Sequence, residues 1–287
     1  MKNRNATMQN PLGATFARLR DEGRKALLPY FMGLWPDRET FAAFLARAEE
    51  AGADAVEVGI PFSDPLADGP AIQDAGHEVL SRGVRLQAVL QAVKEAEIGI
   101  PVLLMTYVNP VLRRGAAAFM DDAQEAGACG LIVPDLPFDQ APEIRWEAES
   151  RDLDLVPLVA PNTSEDRMPD VLGHGSGFAY LVSVTGVTGE RPEARFALDD
   201  LVRRIRFRSG LPVCIGFGVS TPAQAAEAAA VADGVIVGSA LIRAARSRPS
   251  DPAQAVFALL SEMRGALDGS NQNAYVETGD RLGLRGA

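Results

Sequence analysis

Cysteine, histidine and lysine are all scarce in this 287-residue chain, and each scarcity removes a class of chemistry. Cys129 and Cys214 are the only cysteines, too few for a disulfide framework or a thiolate metal clip. Each lies in or beside an apolar run, so both read as small core residues in a reducing compartment. His77 and His174 stand far apart, so no metal site is expected. Lysine occurs only at Lys2, Lys25 and Lys94, none at the end of a strand-like run. A Schiff-base lysine or a pyridoxal phosphate anchor is therefore disfavoured. No stretch approaches ~20 consecutive apolar residues, and Met1–Gly13 lacks the apolar segment of a secretory signal. A cytoplasmic protein is expected. The net charge of −10 argues against nucleic acid or an anionic membrane as partner. Carboxylates, hydroxyls and backbone groups are left to do any chemistry.

What the chain does contain is regular alternation. Apolar runs at Leu27–Phe31, Ala55–Gly59, Pro101–Tyr107, Gly130–Val133, Leu155–Val159, Phe178–Val182, Val213–Phe217 and Gly234–Val237 predict eight strands. Amphipathic stretches separate them, among them Arg38–Ala51, Leu86–Glu97, Ala116–Ala126 and Pro222–Val231. Strand–helix alternation implies a parallel sheet with helices outside, and eight units suit a closed (β/α)8 TIM barrel. A doubly wound open sheet is the alternative, but no Gly-x-Gly-x-x-Gly turn follows the first strand. A helix near Thr15–Gly23 is expected to cover the barrel bottom. The expected organisation is one domain over 1–267 and a flexible tail over 268–287, the latter rich in Gly, Asn and charge.

Chemistry in a parallel barrel gathers where strands end. The segment from Ala55 to Pro70 places Glu57 inside an apolar run and Asp68 in a loop stiffened by three prolines. Two carboxylates in unlike settings can supply an acid and a base at one pH. Alternation of Val56 and Val58 with Glu57 also suits a half-exposed strand, and Asp68-Gly69-Pro70 is ordinary turn chemistry. Barrel geometry favours an inward Glu57, because both faces of such a strand are covered. Gly216-Phe217-Gly218 after the seventh strand and Gly238-Ser239 after the eighth occupy the usual phosphate positions of a barrel. Gly186-Val187-Thr188-Gly189 is a possible third contributor.

Six motifs, in order, carry a family resemblance: EVGIPFSDPLADGPAIQ at Glu57–Gln73, LMTYVN at Leu104–Asn109, GLIVPDLP at Gly130–Pro137, YLVSVTGVTG at Tyr180–Gly189, GFGVS at Gly216–Ser220 and DGVIVGSA at Asp233–Ala240. The chain resembles tryptophan synthase alpha chains over nearly all of Leu27–Ala245. That resemblance implies cleavage of indole-3-glycerol phosphate to indole and glyceraldehyde 3-phosphate. It also implies a partner beta chain, in an alpha2-beta2 heterotetramer, that carries the pyridoxal phosphate; no cofactor is expected in this chain. Glu57 and Asp68 match the family's catalytic carboxylates. Tyr107, Ile132 and Tyr180 match the indole pocket, and Tyr30 is a further substrate-binding candidate. Gly189, Phe217, Gly218, Gly238 and Ser239 match the glycerol-phosphate end, and Thr188 a mobile-loop threonine.

One segment departs. Where the family usually reads Tyr-Val-Thr-Ala-Gly-Asp-Pro, this chain has Tyr30-Phe31-Met32-Gly33-Leu34-Trp35-Pro36. The change bears on packing under the Asp68 loop, and it leaves a second class of reading open: a barrel without useful activity that serves as a binding partner. Retention of Glu57, Asp68 and Thr188 favours the enzyme. An indole-3-glycerol phosphate synthase would call for lysines at strand ends, which are missing.

Overall fold

The computed structural model describes residues 10–138, 141–182, 192–216 and 218–281, with side chains outside 192–197 and 270–281. Its strands are β1 (Ala26–Met32), β2 (Val56–Gly59), β3 (Val102–Met105), β4 (Gly130–Ile132), β5 (Asp154–Val156), β6 (Leu158–Val159), β7 (Ala179–Val182), β8 (Val213–Gly216) and β9 (Gly234–Val237). Every pairing is parallel, in the order β5-β4-β3-β2-β1-β9-β8-β7-β6. Only Pro157 separates β5 from β6, the two ends of that order. They are halves of one strand, and the sheet returns on itself as a (β/α)8 barrel. The unbroken strand expected over Leu155–Val159 is thus interrupted, because proline has no N–H to give the ladder. Its carbonyl still accepts from Tyr180 N at 2.9 Å.

Twelve helices among the described residues surround the strands: α1 (Pro11–Asp21), α2 (Arg38–Glu50), α3 (Pro70–Ser81), α4 (Leu86–Ala96), α5 (Val108–Arg114), α6 (Ala116–Glu125), α7 (Pro142–Glu149), α8 (Met168–Gly173), α9 (Pro192–Arg208), α10 (Pro222–Ala229), α11 (Ser239–Ser247) and α12 (Pro252–Arg281). Among these, α3 and α5 fall outside the stretches whose pattern predicts a helix. α3 opens on Pro70, whose missing N–H costs nothing at a helix start, and buries Ala75 and Val79 one turn apart. α5 is held open at its start by Asp135 Oδ1, which accepts from Val108 N at 2.8 Å, and stops at Gly115 with φ +86°.

Alternation divides the strand residues between two apolar clusters. Leu27, Val56, Val58, Leu104, Leu131, Ile215 and Val235 join the helices outside. Ala26, Leu28, Leu103, Ile132, Val156, Tyr180, Cys214 and Ile236 fill the interior. At the lower end α1 closes the barrel as expected. Its N-cap Asn10 accepts from Leu12 N and donates to the carbonyls of Cys129 and Asp152, just ahead of β4 and β5. Leu12 and Phe16 are buried there, with the Phe16 and Phe178 rings 5.6 Å apart. α12 is tied to the same end through buried Arg264, which reaches Asp54 Oδ2 at 3.1 Å and the Lys25 carbonyl at 3.0 Å. It continues past Asp268 to Arg281.

Candidate active site

Glu57 lies in β2 between Val56 and Val58, both of which face the outer helices. Its side chain therefore turns inward. It pairs in register with Tyr30 of β1 and Leu103 of β3 and has no exposed surface. Neither carboxylate oxygen finds a hydrogen-bond partner among the described residues. A buried carboxylate without partners is costly when ionised, so burial pushes its pKa from 4.5 up to about 8. The expectation of an inward Glu57 holds, and the solvated alternative does not.

Two tyrosines face the same space. A Cβ at Gly59 would lie 2.0 Å from the Tyr30 hydroxyl, and one at Gly216 would lie 2.2 Å from the Tyr180 hydroxyl. Each ring can lean over its neighbour strand only because a glycine stands there. Gly216, which the sequence pattern groups with a phosphate cradle, seats Tyr180. Burial, with the nearby Glu57 and Asp68 charges, raises the pKa of both phenols well above its ordinary value. They are neutral and shaped to meet an aromatic ligand.

Asp68 sits in the loop between β2 and α3. Its N–H donates to Pro65 O at 3.1 Å, and its carbonyl accepts from Gln73 Nε2 at 2.8 Å. Tyr107, at the end of β3, braces the loop. Its hydroxyl accepts from Ala67 N at 3.1 Å, and its ring stacks on Phe62 at 5.1 Å. Burial lifts the Asp68 carboxyl from 3.8 to about 6, opposed by a hydrogen bond with Tyr107. One oxygen, Oδ1, is buried and unpartnered among the described residues. Ile132 adds an apolar wall from β4.

The other end of the site is the start of α11. A Cβ on Gly69 would come within 3.8 Å of Ser239 Oγ, so the Asp68 loop and the α11 N-terminus meet. Gly218 has φ +83°, a conformation that L-residues seldom adopt. Thr188, Gly189 and Phe217 lie outside the described residues, as do all of 183–191. Lys25 donates to Ala232 O and Lys94 pairs with Glu125, so neither serves the mouth. Among the described residues no group of three or more His, Cys, Asp or Glu is placed to hold a metal ion. One residue went unread in the sequence: Thr106 is fully buried, with a hydroxyl lacking a partner among the described residues. Its only sequence signal is a hydroxyl directly after the apolar run Val102–Met105.

Comparison with known proteins decides what this constellation belongs to. The family model described as tryptophan synthase alpha chain matches residues 16–270. The chain belongs to the tryptophan synthase alpha chain family. It is 45% identical to the alpha chain of Prochlorococcus marinus over 259 residues, 89% of this chain and 94% of that one. It is 43% identical to that of Chloroflexus aggregans over 263 residues, 90% and 98% of the two chains. The alpha subunit structure from Legionella pneumophila superposes with TM-score 0.83 at 36% identity, covering 91% of this chain and 99% of that one. Tryptophan synthase from M. tuberculosis in an aminoacrylate-bound form gives TM-score 0.80 at 38% identity, over 90% and 99%. The chain is thus a lyase of tryptophan biosynthesis, and its family implies a beta chain as partner. In this alpha chain the departing segment after β1 is not a defect: Met32, Leu34 and Trp35 are all buried.

Proposed function

We propose that Glu57 and Asp68 carry the cleavage of indole-3-glycerol phosphate, with the indole ring between Tyr30, Tyr107, Ile132 and Tyr180. The observation behind this is a fully buried Glu57, without a hydrogen-bond partner among the described residues, beside two tyrosines and a second carboxylate in a polar loop. Glu57, protonated in the empty site, gives its proton to indole C3. Asp68 accepts from the ring N–H and stabilises the indolenine-like intermediate. Glu57 then takes the proton of the carbinol hydroxyl as the bond from C3 to the glycerol carbon breaks. The bond's electrons restore the ring double bond, the aldehyde leaves as glyceraldehyde 3-phosphate, and Glu57 ends as it began. Indole release by the purified chain, lost on substitution of either carboxylate, tests the reading.

The phosphate is assigned to the N-terminus of α11, where backbone N–H groups and the helix dipole favour an anion. Gly238 and Ser239 begin that helix; Gly218, and by the family resemblance Gly189 and Phe217, are proposed for the same glycerol-phosphate end, and Thr188 for the loop that closes near Asp68. Support comes from the meeting of the Asp68 loop with Ser239 and from the backbone of Gly218. Ser239→Ala should weaken binding by about 1.5–3 kcal/mol, as for other hydrogen bonds to a charged group. Gly218→Val should do worse, because φ +83° strains any β-branched residue. Substrate KM values measure both; an unchanged KM in Gly218→Val would place the phosphate elsewhere.

A beta chain carrying pyridoxal phosphate is proposed to dock on the same rim as an alpha2-beta2 assembly, leaving this chain free of cofactor. Leu66 and Leu112, in segments after β2 and β3, expose 88% and 58% of their surface there. Mixing the two purified chains should give co-elution and a faster lyase reaction, since a docked partner closes the site against water. Neither change would mean a lyase that works alone. No helix among the described residues is long and apolar enough to cross a membrane, in keeping with a proposed cytoplasmic setting. We also propose one domain over 1–267 with a tail over 268–287. Among the described side chains, Leu267 is the last buried apolar residue of α12.

A further inference from the structure

The segment Met32–Pro36 is bound along α3, the helix that begins two residues after Asp68. A Cβ on Gly76 would lie 3.1 Å from Met32 Cε, so the methionine lies flat against the helix backbone. Arg82 donates to the carbonyls of Leu34 and Pro36, the former at 2.6 Å. Leu34 itself has φ +62°, a strained conformation for a residue with a branched side chain, and it persists because both neighbours are held. Between these two ties, the buried Trp35 indole donates from Nε1 to Glu78 Oε2 at 2.6 Å.

Glu78 has a second partner. Its Oε1 accepts from Arg246 Nη2 at 2.6 Å, and the Arg246 guanidinium also lies 5.6 Å from the centre of the Trp35 ring. Asp74 stands 3.7 Å from the same guanidinium. Arg246 is in the last turn of α11, whose first residue is Ser239. The three side chains therefore join three elements: the β1 loop, α3 and α11. Both helices start at the proposed site and are tied at their far ends. A helix is stiff, and roughly 12 Å of it separates Pro70 from Glu78. A fixed angle at the far ends sets the spacing at the near ends.

We propose that Trp35, Glu78 and Arg246 form a clasp that keeps the Asp68 end of α3 in register with the Ser239 end of α11, as positioning residues for the lyase reaction. The idea rests on the roles given to Asp68 and Ser239 under the proposed function. Glu78 and Arg246 are half exposed, where an ion pair adds little to folding stability. The clasp acts on geometry, and small misplacements of a positioned substrate cost rate steeply. A loosened clasp should leave the phosphate end able to bind while the indole N–H is misaligned with Asp68.

The test uses the full chain with indole-3-glycerol phosphate. Trp35→Phe keeps a buried ring and removes the donor. Its kcat should fall about tenfold with KM changed less than about twofold, and unfolding should come only a few degrees earlier, with the rate measured well below that transition. Glu78→Ala should behave alike, and the double variant should be no slower than either single one, as for groups that act as a unit. Glu78→Gln, which can still accept from Trp35, should recover part of the rate. Asp68→Asn is measured alongside. Wild-type kcat in Trp35→Phe and Glu78→Ala, with Asp68→Asn slow, overturns the clasp and leaves Asp68 in place. A wild-type rate in Asp68→Asn overturns that assignment and the clasp with it. Rate losses that only track a fall in unfolding temperature, or that appear in KM alone, make the contacts structural and also overturn it. Should Trp35→Phe not fold, the surface variants Glu78→Ala and Glu78→Gln decide by the same criteria.

Discussion

Glu57→Gln is expected to lower turnover at least ~10²-fold while leaving the barrel folded and flattening its stability across pH. The amide fills the same volume between Tyr30 and Leu103 but cannot give or take a proton. The stability effect follows from linkage. In the unfolded chain the Glu57 carboxyl ionises near 4.5, whereas the fold holds its proton to about 8. Between those values the unfolded state has released a proton that the native state keeps. Native stability therefore falls as pH rises through that window and levels off above it. Gln has no proton to lose, so the variant should be the more stable protein at pH 8, with little difference at pH 4.5 or below. Denaturant titrations at the two ends of the window measure this, and indole release measures the rate. A variant with near-wild-type turnover would remove Glu57 from the mechanism, whatever its stability.

The sequence carried the barrel because its signals are local. Strand runs repeat eight times with amphipathic stretches between them, and parallel closure follows from their order. The position of Glu57 needed that closure: Val56 and Val58 are equally consistent with a wet strand until both faces are known to be covered. What the sequence hid are pairings across long separations. Met32 and Trp35 read as a departure under the Asp68 loop, yet Gly76 makes room for one and Glu78 receives the other. Neither match can be seen without α3, which lies outside the stretches read as helix from the sequence. The break at Pro157 was hidden for the opposite reason. Its flanks, Val156 and Leu158, continue the apolar pattern, and only the hydrogen-bond ladder shows the gap. Gly59 and Gly216 look like turn residues, but each owes its place to a tyrosine on the neighbouring strand.

Asp68→Asn should cost about 10²–10³ in kcat, the scale for losing one preorganised group that meets charge in a transition state, and it should also erase one limb of the pH profile. Asp68 must be ionised to offset the positive charge that C3 protonation puts on the ring while it accepts from the indole N–H, and its carboxyl is lifted to about 6. Glu57 must be protonated to deliver to C3, and it keeps its proton to about 8. The kcat/KM of the wild-type chain should therefore rise as pH passes about 6 and fall past about 8, a bell set by two carboxylates in unlike surroundings. Asn cannot ionise, so the residual activity of Asp68→Asn should lack the acid limb and retain the alkaline one. Tyr107→Phe provides the internal check. The Tyr107 hydroxyl bonds to Asp68 and holds its pKa below what burial alone would impose. Without it the acid limb should move to higher pH while the alkaline limb stays. Loss of the alkaline limb in Asp68→Asn, or an acid limb that stays put in Tyr107→Phe, would reverse the assignment of acid and acceptor between the two carboxylates.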